Sequence, residues 1–395
     1  MKLPAALGYL TYCLNIHPTQ TFDEVMAALA GPAAKVKRAI SPDAPFAIGL
    51  RFSGEALGEL ADPGKRAALK SALGAHEFQA VTVNGFPYGR FHGTQVKDAV
   101  YQPDWRSEER VRYTNALSDL MAEIAPEGDV VSLSTVPGTF KPLAAGAEAM
   151  IADNILRAAA HMIALHDRTG VTVALALEPE PACFLETIVE TVDFFGTYLF
   201  SPDAAARVAD LNGLSVSQAA EALPRHLGLC YDVCHAAVEF EDPAGSIAAL
   251  RQAGIPVHKL QLSAALRVAS VGPEQRTALA DFDEPTYLHQ VIRRTAQGLE
   301  SAADLPAALA LGTATDGEEW RVHFHVPVFI RDLGAFSSTR DFLADILALH
   351  RQDPISPHLE IETYTWNVLP EGLRGATVAE DIRREFEWVL DQLRP

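Results

Sequence analysis

The sequence predicts an α/β fold in which eight parallel strands alternate with helices and close into a (β/α)8 TIM barrel. Short apolar runs recur along the 395 residues with amphipathic stretches between them. Each run is too continuously apolar to be exposed on either face, as expected of parallel strands covered on both sides. Several runs also end abruptly in an acid, an amide or an imidazole. A closed or doubly wound parallel sheet is what gathers such ends, distant in sequence, around one point.

The expected strands are Leu7–Asn15, Phe46–Phe52, Ala80–Val83, Val130–Thr135, Val171–Leu177, Leu227–Tyr231, Val257–Leu262 and Leu359–Thr363. Between them, apolar residues at helical spacing predict helices over Phe22–Ile40, Glu108–Ile124, Ala147–Arg168, Glu186–Tyr198 and Ser246–Ala253, and a last one over Val378–Leu393. The first and last open with capping-box spacing, Thr21 with Glu24 and Thr377 with Glu380. Two segments are too long for simple βα loops, Gly85–Arg112 and Ser263–Trp320; the second is expected to hold a helix over Glu284–Gly298 and a loop near Leu311–Gly317. Both follow strands, so both should cover the catalytic face of one domain spanning residues 1–395. A homo-oligomer contact is their alternative role.

Composition narrows the function. With 32 Lys plus Arg against 51 Asp plus Glu the net charge is −19, which repels polyanions, so a small molecule is the expected partner rather than nucleic acid. No apolar run approaches the roughly 18 residues of a membrane span, and the start MKLPAALGYLTYCLN lacks the pattern of an export signal. The expected location is the cytoplasm. Cys13, Cys183, Cys230 and Cys234 have neither paired C-x-x-C spacing nor disulfide density and read as buried thiols. Because Cys230 and Cys234 flank Asp232, a thiolate ligand to zinc is the competing reading.

The strand ends carry the chemistry. LGLCYDVCH ends in Asp232 and His235; VTVALALEPE in Glu178 and Glu180; VHKLQLS carries His258 and Gln261; RVHFHVPVF carries His323 and His325; LEIETYTW carries Glu360 and Glu362. A single acid or imidazole at a strand end is usually solvated or hydrogen-bonded without chemistry, and the recurrence is what suggests a divalent cation. Glu178, Asp232 and Glu362 are the expected ligands for Zn, Mn or Mg, with His235, Gln261, His323 and His325 completing the set. Glu180, two residues farther into its loop, is the weaker partner. Gln261 can bind a hard metal through its carbonyl or hydrogen-bond a substrate, and the alternating His323 and His325 can be a ligand pair or two structural rings. Glu178 and Glu362, on opposite sides of a barrel mouth, can take and return a proton. Arg51, Asn84, Tyr88, His92 and His258 are candidate substrate contacts.

LCYDVCHA and the closing ETY resemble the strand ends of the xylose-isomerase-like TIM barrels, which include sugar isomerases, ketose epimerases and apurinic endonucleases of the three-zinc type. The resemblance implies metal-binding roles for Glu178, Asp232 and Glu362, and, from the endonuclease branch, for His235, His323 and His325. Asn84 and Ser134 stand where that branch has early histidines, and Gln261 where the epimerases use His. Longer words, including LGYLTYCLNIHP, YQPDWRSEERVRYT, STVPGTFKP, KLQLSAAL and LEIETYTWNVLP, resemble the bacterial EboE family of metabolite traffic proteins. That resemblance implies a role in gene clusters handling small-molecule precursors. Taken together, the expectation is a metal-dependent isomerase or epimerase acting on a sugar or cyclitol in secondary metabolism. A phosphoester hydrolase of the apurinic-endonuclease type and a non-catalytic carrier or scaffold are the alternatives.

Overall fold

The computed structural model describes residues 1–4, 6–86, 101–126, 128–284, 287–369, 372 and 374–394. Seven strands come first: β1 (Tyr9–Tyr12), β2 (Phe46–Arg51), β3 (Phe78–Asn84), β4 (Val130–Thr135), β5 (Thr172–Leu177), β6 (Leu227–Asp232) and β7 (Val257–Leu262). The chain then leaves the barrel for β8 (Ala265–Val268), β9 (Val291–Thr295), β10 (Gly298–Ala302), β11 (Glu319–His325) and β12 (Ser337–Ser338), and returns with β13 (His358–Ile361). The first seven and β13 form one parallel sheet in the order β1-β13-β7-β6-β5-β4-β3-β2. A parallel bridge between Cys13 and Gly49 joins its two edges. The result is the eight-stranded barrel with outer helices that the sequence predicts.

The barrel lumen is filled by polar side chains as well as apolar ones. Ser132 donates to Thr82 at 2.7 Å, and His358 Nδ1 lies 2.8 Å from the Ser132 hydroxyl. Lys259 and Glu360, both fully buried, form an ion pair of 2.5 Å inside the barrel. This pair explains the glycine at the seam, because a Cβ on Gly49 would stand 1.4 Å from Glu360 Oε1. Buried charges are retained only when paired and hydrogen-bonded.

Strand positions agree with the expected runs to within a few residues, and the helices Glu108–Ile124 and Val378–Leu393 match their expected bounds. Three of the expected helices differ. The single helix Phe22–Ile40 is interrupted by a π-turn over Leu29–Ala33, where Pro32 has no N–H to continue the ladder. The run Glu186–Tyr198 is a shorter helix, Ile188–Phe194, followed by another π-turn. The expected helix Glu284–Gly298 instead contributes β9 to an antiparallel hairpin with β10, because β11 supplies a pairing edge that local propensity cannot anticipate.

That hairpin belongs to a second, five-stranded sheet in the order β10-β9-β11-β8-β12. The insertion expected over Ser263–Trp320 therefore runs on to Ser338. Of the other insertion, residues 87–100 lie outside the described residues. Among the described residues no helix is long and apolar enough to cross a membrane.

Candidate metal centre

Three carboxylates meet at the carboxy-terminal mouth of the barrel. Glu178 follows β5, Asp232 ends β6 and Glu362 follows β13; one oxygen from each lies within 4.8 Å of the others, and all three residues are buried. Local structure fixes each. The Glu178 N–H donates to the Thr135 carbonyl at 3.0 Å and the Glu362 N–H to the Leu262 carbonyl at 3.2 Å, tying both backbones to neighbouring strand ends. Asp232 caps the helix Val233–Val238: its Oδ1 accepts from the His235 N–H at 3.0 Å and from the Ser263 hydroxyl at 2.7 Å. Glu362 Oε1 accepts from Asn15 Nδ2 at 2.6 Å and Asn84 Nδ2 at 3.2 Å.

These bonds leave particular atoms over. Glu178 Oε2 and Asp232 Oδ2 are buried without a hydrogen-bond partner. Burial, then the facing Glu362 and Asp232, hold the Glu178 carboxyl well above the usual carboxylate range. Burial, Asp232 and Glu360 push Glu362 up to about 7. Clustered carboxylates removed from water are stable only when they share protons or a cation, and orphaned hard oxygens suit a divalent cation.

Three histidines adjoin the carboxylates. His235 Nδ1 lies 2.9 Å from the Pro179 carbonyl, His325 Nδ1 2.5 Å from the Glu362 carbonyl, and His323 Nδ1 2.7 Å from Gln290 Oε1. Since each of these oxygens accepts, each Nδ1 carries the proton and each Nε2 of a neutral ring has a free lone pair. The amide of Gln290 is oriented by its own donation to the Pro181 carbonyl at 2.8 Å and the Tyr101 hydroxyl at 3.1 Å. His325 Nε2 is buried without a partner. Burial lowers His325 to about 4 and takes His323 well below its ordinary value, the neighbouring histidines adding to the effect on His323. Asp232, His235 and His325 form one further group of convergent donors, Glu180, His235 and His323 another, and Cys234, His323 and His325 a third. Asp232 is thus common to the carboxylate group and to a histidine group.

His323 and His325 reach the mouth from the second sheet rather than from a barrel strand. The pairing of β11 with β8 shifts register between Val322 and His325, and the resulting irregularity lies at these two rings, whose centroids are 5.4 Å apart.

Other expected residues divide. Gln261 is buried at the end of β7, in register with Asp232 on β6 and Glu360 on β13. Asn84 sits under the centre and holds Glu362. Arg51 ends β2, where its guanidinium donates to the Thr19 and Phe86 carbonyls at 3.2 Å, bracing loops. His258 is not brought to the site: it lies at the amino-terminal end of β7, bound to the carbonyls of Pro224 and Leu227, with burial lowering it to about 4. Tyr88 and His92 lie outside the described residues.

Glu180, ranked below Glu178 on sequence grounds, is buried and accepts from the Tyr101 hydroxyl at 2.6 Å. All four cysteines are free and buried, and Cys234 alone of them stands in a convergent donor group. Sequence reading missed Asn15, Ser263, Tyr101 and Gln290. Asn15 and Ser263 carried the same signal as the ligands, a polar residue closing an apolar run; Tyr101 and Gln290 sit in insertions and carried none.

A xylose isomerase domain protein from Planctomyces limnophilus is similar at a TM-score of 0.50 and 12% identity, over 97% of this chain and 95% of that one. The probable 3-DHS dehydratase AsbF, involved in petrobactin synthesis in Bacillus anthracis, gives a TM-score of 0.47 at 11% identity over 97% and 98% of the two chains. The IOLI protein with a binding zinc atom gives 0.44 at 13% identity over 98% of each. With its eight-stranded parallel sheet and the likeness to the first of these, the chain has the xylose-isomerase-like (β/α)8 barrel fold. No protein-family model and no curated protein matches it.

Proposed function

We propose that the chain is a metal-dependent enzyme that isomerises or epimerises a polyhydroxylated small molecule, a sugar or cyclitol, in a secondary-metabolite pathway. The observation that carries this reading is the convergence of Glu178, Asp232 and Glu362 from three strands, with Glu178 Oε2 and Asp232 Oδ2 buried and unpaired. Those three carboxylates would hold Zn, Mn or Mg, completed by His235, His323, His325 or Gln261. When bound, the metal supplies the polarisation of a substrate carbonyl and its adjacent hydroxyl.

The chain's own groups supply the rest. Glu178 or Glu362 takes the proton from the carbon beside the carbonyl, and the electron pair moves into an enediol. In an isomerisation the proton then goes to the former carbonyl carbon as the hydroxyl proton passes to the former carbonyl oxygen; in an epimerisation it returns to the opposite face of the same carbon and the carbonyl re-forms. Asn15 and Asn84 hold the Glu362 carboxylate by one oxygen, leaving the other for the cation. Tyr88 and His92 are proposed substrate contacts, with Arg51 bracing the loops at Thr19 and Phe86 and Asn84 holding Glu362. The EboE resemblance fits an enzyme that processes precursors in the cytoplasm, and residues 1–395 are read as one barrel domain roofed by its insertions.

The test is solvent exchange. Protein loaded with Mn²⁺ and incubated in D₂O with a panel of ketoses, aldoses and inosose-type cyclitols should incorporate deuterium at a carbon beside the carbonyl of one class. Absence of exchange across the panel, together with hydrolysis of a phosphoester, overturns the reading. The hydrolase reading has one observation in its favour: Asp232 is shared between the carboxylates and His235 with His325, an arrangement that suits two cations.

A further inference from the structure

Beneath the carboxylates, the barrel lumen holds a charged pair that the proposed chemistry does not use. Lys259 and Glu360 are wholly buried, and every donor of the ammonium has a partner. Nζ lies 2.5 Å from Glu360 Oε2, 2.7 Å from Asn84 Oδ1 and 3.3 Å from the Ser134 hydroxyl. Ser134 also donates to Asn84 Oδ1. An asparagine amide can lie either way round, and the Ser134 hydroxyl could accept from its nitrogen as readily as donate to its oxygen, but the Lys259 ammonium only donates and so admits only the oxygen on its side. Nδ2 is thereby turned upward, where it donates to Glu362 Oε1 at 3.2 Å.

The consequence reaches the cation site. With Asn84 so oriented, Glu362 Oε1 is taken by two amide donors, those of Asn84 and Asn15, and Oε2 is the oxygen left for a ligand. A reversed amide would set its oxygen against Glu362 Oε1, oxygen on oxygen, and drive the carboxylate away. Resting on the metal reading above, we propose that Lys259, acting through Asn84, is the positioning residue that presents Glu362 to the cation, with Glu360 as its buried counter-ion. Gly49 belongs to the same device, since the absence of a side chain there makes the space for Glu360.

The prediction separates orientation from charge. In Lys259→Gln/Glu360→Gln the ion pair is replaced without change of net charge, and the new amide can still donate to Asn84. In Lys259→Met/Glu360→Val the net charge is likewise unchanged and the volume is nearly kept, but no obligate donor remains, since the Ser134 hydroxyl can accept from a reversed amide as well as donate. Replacing a buried ion pair by apolar residues of similar volume is commonly tolerated. Mn²⁺ affinity by calorimetry and the visible spectrum of bound Co²⁺ are measured on the full chain, with thermal unfolding as the check on folding.

The glutamine pair should bind Mn²⁺ close to the wild type and give the same Co²⁺ spectrum. The Met/Val pair should bind about tenfold or more weakly, the range seen when groups that orient metal ligands are lost, and with an altered spectrum. Asn84→Ala should reproduce the Met/Val loss, and combining the two should add nothing further. Equal weakening in both pair variants, unweakened binding in the Met/Val pair, or additive losses with Asn84→Ala would overturn the proposal; should the Met/Val pair not fold, Asn84→Ala against the glutamine pair decides it. A wild-type chain that binds neither Mn²⁺, Co²⁺ nor Zn²⁺ overturns the metal reading itself, which these variant comparisons do not.

Discussion

His235 Nε2 and His323 Nε2 lie 3.1 Å apart at the barrel mouth. Both rings have already committed Nδ1 to an oxygen acceptor, so in their neutral forms two lone pairs face each other. Such a contact is stable when a proton or a cation is shared between them. On adding Zn²⁺ to the apo protein, the ¹⁵N resonances of Nε2 in His235, His323 and His325 should shift while the Nδ1 resonances keep their protonated positions. Unmoved Nε2 resonances would make the three rings structural.

Asp232 has two duties, and two variants divide them. Its Oδ1 caps the helix Val233–Val238 and accepts from Ser263, whereas Oδ2 is buried without a hydrogen-bond partner, 3.8 Å from His235 Nε2. Asp232→Asn and Asp232→Ala both remove the charge and should both abolish or strongly weaken metal binding. Only the alanine also loses the cap, so it should be less stable than the asparagine by about 1 kcal/mol, read from denaturant midpoints. Equal stability of the two would remove the capping role, and unaltered metal binding would remove Asp232 from the site.

These residues also mark how far the sequence could be read. Glu178, Asp232 and Glu362 were legible because each ends an apolar run, and strand ends of a parallel barrel share one rim. Lys259 and Glu360 were not, because alternation along a strand buried on both faces does not say which side is the lumen. His323 and His325 were legible as a pair, but their place on a second sheet depends on pairing between β8, β9 and β11, which are distant in sequence. Strand β9 falls within Glu284–Gly298, a stretch that reads as helix for the same reason. Gly49 looked like an ordinary small strand residue until its neighbour across the lumen was known.

Gly49→Ala tests that lumen. The added methyl would overlap Glu360 Oε1 and stand 3.1 Å from the Tyr12 carbonyl, so it must displace a buried carboxylate from Lys259. Parting a buried pair in this way costs about 3–5 kcal/mol. Chemical denaturation should report a loss of that order. A neutral outcome would mean that Glu360 does not occupy the space beside Gly49.

Stability should also fall with rising pH through Glu385, which lies outside the carboxylate cluster. Glu385 is buried, accepts from Thr363 Oγ1 at 2.5 Å and from the Val328 N–H at 3.3 Å, and burial raises it from 4.5 to about 8. The folded state therefore holds this proton more tightly than the unfolded chain. Its contribution is fully present below pH 4.5 and is lost as the pH rises through about 8. Glu385→Gln keeps an acceptor oxygen and cannot ionise, so it should flatten the decline between these limits and be more stable than wild type at pH 8 by on the order of a few kcal/mol. An unchanged pH profile would show that Glu385 ionises freely in the fold.

The most direct measurement is the metal content of the chain purified without added ions, read by inductively coupled plasma mass spectrometry beside Asp232→Asn. About one divalent ion or more per wild-type chain is expected, and near none in the variant. A wild-type protein that carries no metal, and takes none up when Zn²⁺, Mn²⁺ or Mg²⁺ is supplied, would contradict the metal reading.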